Sequence, residues 1–234
     1  MMHSIIIITR NRCEEVHAVL AALALQTVPP NEVILVDAGS PPLRRSDFRK
    51  DFPFVCRVHY TEAGMAAQRN AGMDIACGEI LTFLDDDAYP EPEYCARILR
   101  LFAEDTDGEI IAAGGIDTTP TQQSAVERAF RNLFLLQTGR GKNRFRFSGI
   151  PDFKVSMASR AAPKILPSTA LSFRRQDAND LRFDARFFSG APLGLETGRC
   201  FGEDVWFTAM LASRGRLVLL SDARYAHAPS SANR

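Results

Sequence analysis

Residues 65–87 read MAAQRNAGMDIACGEILTFLDDD, and this stretch decides the fold. Met65 to Ala76 has helical spacing and is closed by Gly78, a residue type that ends helices. Glu79 to Leu84 follows as an apolar run of strand length, and it meets three carboxylates in succession, Asp85, Asp86 and Asp87. The same alternation extends towards the N-terminus. Ser4 to Thr9 is a β-branched strand, and Asn11 to Glu14 has the spacing of a capping box. Val16, Val19, Leu20 and Leu23 then share one helical face, and Val28-Pro29-Pro30 stops that helix. Glu32 to Val36 and Phe54 to Tyr60 read as further strands, the first ending in the polar turn Asp37 to Ser40. After the carboxylates, Glu91 to Glu104 reads as a helix entered at Pro90 and Pro92, and Glu109 to Ile116 as a strand. Apolar strands separated by helices predict an α/β fold, with a mixed, mostly parallel sheet flanked by helices on both faces.

Beyond residue 116 the pattern is less regular. Ser124 to Gln137 has amphipathic helical spacing, and Gly139 to Arg146 is a glycine- and arginine-rich loop. Ser168 to Arg174 reads as a strand, Ser189 to Gly202 as a loop with four glycines, Gly202 to Arg214 as a helix and Arg216 to Leu220 as a last strand. With 234 residues, no repeat and no flexible linker, the chain is expected to form one domain.

Composition removes several classes. The chain is 46% hydrophobic and 24% charged, with 28 basic and 28 acidic residues, so neither disorder nor a general affinity for nucleic acid is expected. Five cysteines without a CxxC pair argue against a zinc ribbon or a disulfide framework and point to reduced thiols and a cytoplasmic protein. The first residues lack the basic region of a secretory signal, and no apolar run approaches the roughly 20 residues that cross a bilayer.

Ligands of open α/β sheets gather at the carboxyl ends of the strands. Three of these ends are polar: Thr9-Arg10-Asn11, Asp37 and Asp85-Asp86-Asp87. Three adjacent anions repel one another, so a cation is expected among them. In an extended segment Asp85 and Asp87 point the same way, and oxygen ligation suits Mg²⁺ or Mn²⁺, which commonly bridge to phosphates. A solvated acidic turn is the other reading of the same residues.

The run Ala67 to Gly72, with Arg69-Asn70, followed by Gly78-Glu79 and Phe83-Leu84-Asp85-Asp86-Asp87, resembles the family 2 glycosyltransferases of the GT-A fold. Ile5 to Arg12 is similar to the family's opening strand, Val33 to Ser40 to its V-D-x-G-S segment, and Gly202-Glu203-Asp204 to its G-E-D motif. The resemblance covers residues 4–116 well and 165–228 more loosely. Ile8 and Arg10 depart from the family's usual Pro and Tyr, and Ala38 stands where a polar residue is common. The Q-x-x-R-W signature of processive synthases does not follow Asp204, which argues against a processive polymerase.

The resemblance implies an inverting transferase that uses a nucleotide-sugar donor, with a UDP-sugar favoured and Mn²⁺ or Mg²⁺ as cofactor. Residues 1–116 would form the nucleotide-sugar-binding half and residues 117–234 the acceptor-binding half. Thr9, Asn11, Asp37 and Arg69 would contact the nucleotide, with Asp85 or Asp86 reaching the ribose or a metal-bound water. Asp87, with Asp85 and a late histidine, His227, would hold the metal. Asp204 would be the base that deprotonates the acceptor hydroxyl, with Glu203 sharing or replacing that role. The acceptor would be a carbohydrate or lipid-linked. Arg140 to Arg146, four basic residues in seven with Phe145 among them, reads either as a solvated loop, as a lid over the diphosphate, or as a peripheral contact with a membrane surface.

Other enzymes fit less well. Thr9 to Arg12 holds none of the glycines of a dinucleotide fingerprint, and Gly139 to Asn143 lacks the Ser/Thr of a phosphate loop. An Asp-x-Asp phosphatase would usually carry its pair near the N-terminus, with Gly-Thr soon after. A module that binds nucleotide-sugars without catalysis stays open as the alternative, because a fold does not guarantee activity.

Overall fold

The structure, a computed structural model, describes residues 1–49, 51–119, 160–161, 163, 165–184 and 203–227. The expected helix at Ser124 to Gln137, the basic loop and the glycine-rich loop at Ser189 to Gly202 lie outside these residues.

Strands β1 (His3–Thr9), β2 (Glu32–Asp37), β3 (Val55–Tyr60) and β4 (Ile80–Leu84) alternate with helices α1 (Cys13–Ala24) and α2 (Met65–Ile75). There follow β5 (Ala88–Pro90), α3 (Tyr94–Glu104), β6 (Ile110–Asp117), β7 (Arg160–Ala161), β8 (Ala170–Arg174), α4 (Glu203–Ala212) and β9 (Arg216–His227). Among the described residues, all nine strands belong to one sheet of order β3-β2-β1-β4-β8-β6-β9-β5, with β7 on β9. Pairing is parallel across β3-β2-β1-β4 and between β6 and β9, and antiparallel wherever β5, β7 or β8 takes part. The sheet is therefore mixed, and its continuous parallel part ends at β4.

Strand periodicity sends successive side chains to opposite faces, and both faces are covered. Ile5, Ile7, Val33 and Leu35 pack with Val16, Val19, Leu20 and Leu23 of α1 and with Ile98 and Leu101 of α3. Ile6, Ile34, Val36 and Phe83 pack with Met73 of α2 and with Phe207 and Leu211 of α4. This double covering explains why β1, β2 and β4 are buried at nearly every position and apolar through their centres.

Two local expectations are corrected. Asn11 and Glu14 do not form a capping box: α1 is entered from Arg12 with no side-chain cap, because Asn11 adopts φ 58° and accepts the Ser40 N–H at 2.7 Å. Asp85 to Asp87 are not extended. They form a turn closed by the Ala88 N–H donating to the Asp85 carbonyl at 3.1 Å, which lets β5 double back onto β9. Among the described residues no helix is long and apolar enough to cross a membrane.

Candidate active site

The chain leaves β1 towards β2 on one side and places β4 on its other side. This reversal opens a crevice at the carboxyl ends of β1 and β4, the position where open α/β sheets take ligands. A cavity of about 740 Å³ lies there, lined by Thr9 at the end of β1, Arg10 and Arg12 after it, Gln68 and Arg69 of α2, Asp85 to Asp87, Ser168 and Thr169, and Glu203 and Asp204. Its volume falls in the range of small-molecule sites. Seven of the residues singled out in the sequence, from motifs scattered over 196 positions of chain, thus line one wall system: Thr9, Arg69, Asp85, Asp86, Asp87, Glu203 and Asp204.

Helix α2 reaches this cavity because it lies very close to β1. A Cβ at Gly72 would sit 2.3 Å from Ile6 Cγ2, so a larger residue there would push the helix away. One turn earlier, buried Gln68 donates to the carbonyls of Thr9 and Val36, each at 2.9 Å, and ties the helix to the ends of β1 and β2. Arg69 is thereby aimed inward. It is buried, donates to Glu203 Oε1 at 2.8 Å and to Ser168 Oγ at 3.1 Å, and lies 5.1 Å from the centroid of the Phe183 ring.

The three aspartates divide their work. Asp86 turns back to β1, where its carboxylate accepts from Thr9 Oγ1 and from Arg12, both at 2.7 Å. Arg12 also reaches Asp87 at 3.1 Å. Part of the charge compensation expected from a metal is therefore supplied by an arginine. Asp85, Asp87 and His227 offer two carboxylate oxygens and an imidazole nitrogen within 4.8 Å of one another. Burial raises the Asp85 carboxyl above the usual range, against the opposing charge of Arg69, and burial likewise raises Asp86 against its bonds from Thr9 and Arg12. Both shifts arise from loss of water around the carboxyls, which the neighbouring arginines offset only in part.

His227 is oriented by Asp117, whose Oδ2 lies 2.7 Å from Nδ1. Although desolvation opposes it, hydrogen bonds from Thr119 and His227 hold the Asp117 carboxyl below the usual range. Asp204 is half-buried at the first turn of α4, with Oδ1 accepting the Val205 N–H at 2.8 Å and Oδ2 lying 3.5 Å from Ser168 Oγ.

Asn11 and Asp37 do not line the cavity. Asp37 is buried and its two oxygens accept the N–H groups of Gly39 and Leu43, at 2.8 and 2.7 Å. A Cβ at Gly39 would lie 2.8 Å from Asp37 Oδ1 and 3.0 Å from Asn11 Oδ1, so the loops after β1 and β2 are locked at that glycine. Sequence reasoning missed Arg12, Gln68, Asp117 and Ser168. Their roles depend on partners 32 to 110 residues away, and no local pattern marks them.

Comparison with known proteins agrees with this geometry. Residues 4–162 match the family described as Glycosyl transferase family 2. EpsH of Bacillus subtilis, named as a glycosyltransferase, is 30% identical over 135 residues, covering 55% of this chain and 39% of that protein. An uncharacterised glycosyltransferase of Haemophilus influenzae is 37% identical over 103 residues, covering 44% of this chain and 35% of that protein. The chain thus aligns with well under half the length of these relatives. Among solved structures, S. aureus TarS 1–349 in complex with UDP-GlcNAc superposes with a TM-score of 0.62 at 18% identity, over 99% of this chain and 60% of that one. Its complex with UDP gives 0.61 at 19% identity, over 98% and 61%. These likenesses establish a shared GT-A fold.

Proposed function

Because the chain belongs to glycosyl transferase family 2, we propose that it moves a sugar from a nucleoside-diphosphate-sugar to an acceptor hydroxyl, with inversion at the anomeric carbon. The observation that carries this reading is the meeting, in one cavity, of Asp85 and Asp87 from the end of β4 with Asp204 from the start of α4.

Asp204 takes the proton of the acceptor hydroxyl as that oxygen attacks the anomeric carbon, and the bond to the diphosphate breaks with its electrons leaving on phosphate oxygen. Asp85, Asp87 and His227 would hold a divalent cation. The donor set fits, since two carboxylates and an imidazole suit Mn²⁺, with Mg²⁺ the harder alternative. When bound, the ion supplies positive charge to the leaving diphosphate. Arg10, exposed at the cavity wall, adds charge for the same group. Asp37 and Asn11 contribute to nucleotide binding by fixing the loops beside it, and each Asp37 oxygen retains a lone pair for a base N–H.

A UDP-sugar is the favoured donor, since the TarS structures of the same fold carry UDP and UDP-GlcNAc. The acceptor is a carbohydrate, free or lipid-linked. In this reading residues 1–116 serve the donor and 117–234 the acceptor, the protein works in the cytoplasm, and the basic segment Arg140 to Arg146 meets the membrane surface or the diphosphate.

The test is nucleotide release from UDP-, GDP- and dTDP-sugars with and without Mn²⁺. Metal-dependent release from one donor class is expected. Tight donor binding without release or transfer to any sugar acceptor would replace the enzyme with a binding module.

A further inference from the structure

Three elements far apart in the chain meet at Asp204. Arg69 of α2 donates through one terminal nitrogen to Glu203 Oε1 and through the other to Ser168 Oγ, and Ser168 Oγ approaches Asp204 Oδ2 at 3.5 Å. Arg69, Ser168 and Glu203 are buried, and both Arg69 and Ser168 face the donor cavity. A serine hydroxyl has one proton and two lone pairs, whereas a guanidinium has donors only. With an Arg69 N–H on one lone pair, the Ser168 proton cannot return to Arg69 and is available to a carboxylate. The sense of the chain is therefore fixed, from Arg69 to Ser168 to Asp204.

We infer that Ser168, itself oriented by Arg69, is a positioning residue that aims the Asp204 carboxylate at the acceptor hydroxyl. The inference rests on the glycosyl-transfer reading, in which Asp204 is the base. Asp204 is then held at both oxygens, by Ser168 at Oδ2 and by the Val205 N–H at Oδ1, so its plane is fixed by two separate elements. The 3.5 Å contact is long, as bonds of open catalytic sites often are before substrate tightens them. Arg69, which the family resemblance assigns to the nucleotide, gives two of its five N–H donors to Glu203 and Ser168 and still lines the cavity. The other charged groups of the same cavity are Arg10, Arg12, Asp85, Asp86, Asp87 and Glu203.

The experiment compares Ser168→Ala, Ser168→Thr and Arg69→Lys with wild type. Carbon-13 NMR of labelled aspartate carboxyls follows the Asp204 titration, calorimetry follows UDP binding with Mn²⁺, and UDP release from UDP-GlcNAc follows turnover. Ser168→Ala removes a donor to the charged form, so the Asp204 midpoint should rise, kcat should fall roughly 10- to 100-fold, and UDP affinity should stay unchanged. Ser168→Thr keeps the hydroxyl and should restore both values. If Ser168→Ala does not fold, Arg69→Lys carries the same expectation, since one ammonium cannot reproduce the guanidinium fork. An Asp204 midpoint unmoved in the folded variants, or loss of UDP binding in place of kcat, overturns the inference. The NMR arm decides it even if wild type releases nucleotide from none of the UDP-, GDP- and dTDP-sugars, an outcome that would instead remove the transferase reading.

Discussion

His227 Nδ1 lies 2.7 Å from Asp117 Oδ2, and this contact leaves Nε2 as the ring nitrogen free to join Asp85 and Asp87. The two residues end the neighbouring parallel strands β6 and β9, so the sheet itself sets the imidazole. A carboxylate on the far nitrogen raises the basicity of the ligating one and fixes the tautomer. Asp117→Ala should weaken Mn²⁺ binding by roughly 10- to 100-fold, measured by calorimetry in the presence of UDP. Unchanged affinity would remove His227 from the metal site.

Arg12 pairs with Asp87, a carboxylate of the proposed metal site, and would compete with a bound cation for its charge. Arg12→Gln strips a cation from Asp86 and Asp87, so the metal-free protein should lose about 1 kcal/mol, a value kept small because Arg12 is 39% exposed. Mn²⁺ should bind the variant more tightly than wild type. Thermal melts with and without Mn²⁺ read both effects, and a fall in both quantities would show that Arg12 only supports the fold.

Glu203 and Asp204 are adjacent, yet their substitutions should differ in kind. Asp204→Asn should lower turnover by roughly 10²- to 10⁴-fold with donor binding kept. The sequence alone suggests that Glu203→Gln is the milder change. The buried pair with Arg69 indicates otherwise: removing the charged partner of a buried arginine costs on the order of 3–5 kcal/mol, so Glu203→Gln should unfold at markedly lower temperature. A Glu203→Gln protein with a normal melting temperature and no turnover would make Glu203 the base.

His3 makes a pH prediction. It is fully buried in β1, with Nε2 2.8 Å from Thr82 Oγ1, which in turn meets Ser172 Oγ at 2.7 Å. Burial lowers its pKa from 6.5 to about 4. The unfolded chain then binds a proton that the folded chain refuses between these values, so stability is complete above pH 6.5 and falls as pH drops towards 4. The loss is about 3 kcal/mol at its limit. Urea unfolding from pH 7 to 4 should show this slope in wild type and a shallower one in His3→Gln. Parallel slopes would place the acid sensitivity in other groups.

The parallel half of the fold was legible because burial on both faces writes itself as near-continuous apolar runs, as in Ile5 to Ile8 and, broken only by Thr82, Ile80 to Leu84. The continuation of β9 past Leu220 was harder to read. Its later residues alternate, with Ala223 and Tyr225 buried and Asp222 and Arg224 outward, and period-two counting through those charges would have extended the strand to His227. Strand β5 escaped because Pro90 suggests a helix start, whereas an edge strand tolerates it. At the site, the carboxylates were visible as a cluster out of place in an apolar context. The direction each one faces was not, since it depends on the turn at Asp85 to Ala88 and on Arg12, which reaches them across 74 residues.

Strand β8 enters the sheet between β4 and β6, although it follows both in the chain. A cut after Asp117 would leave β6 with neither of its neighbours and would open the flank of β4. The stretch proposed to bind the donor therefore cannot be excised as a minimal module. Two fragments divided there would each be incomplete and would recover the site only by reassembling, which makes the junction a natural position for a split reporter whose signal requires both pieces.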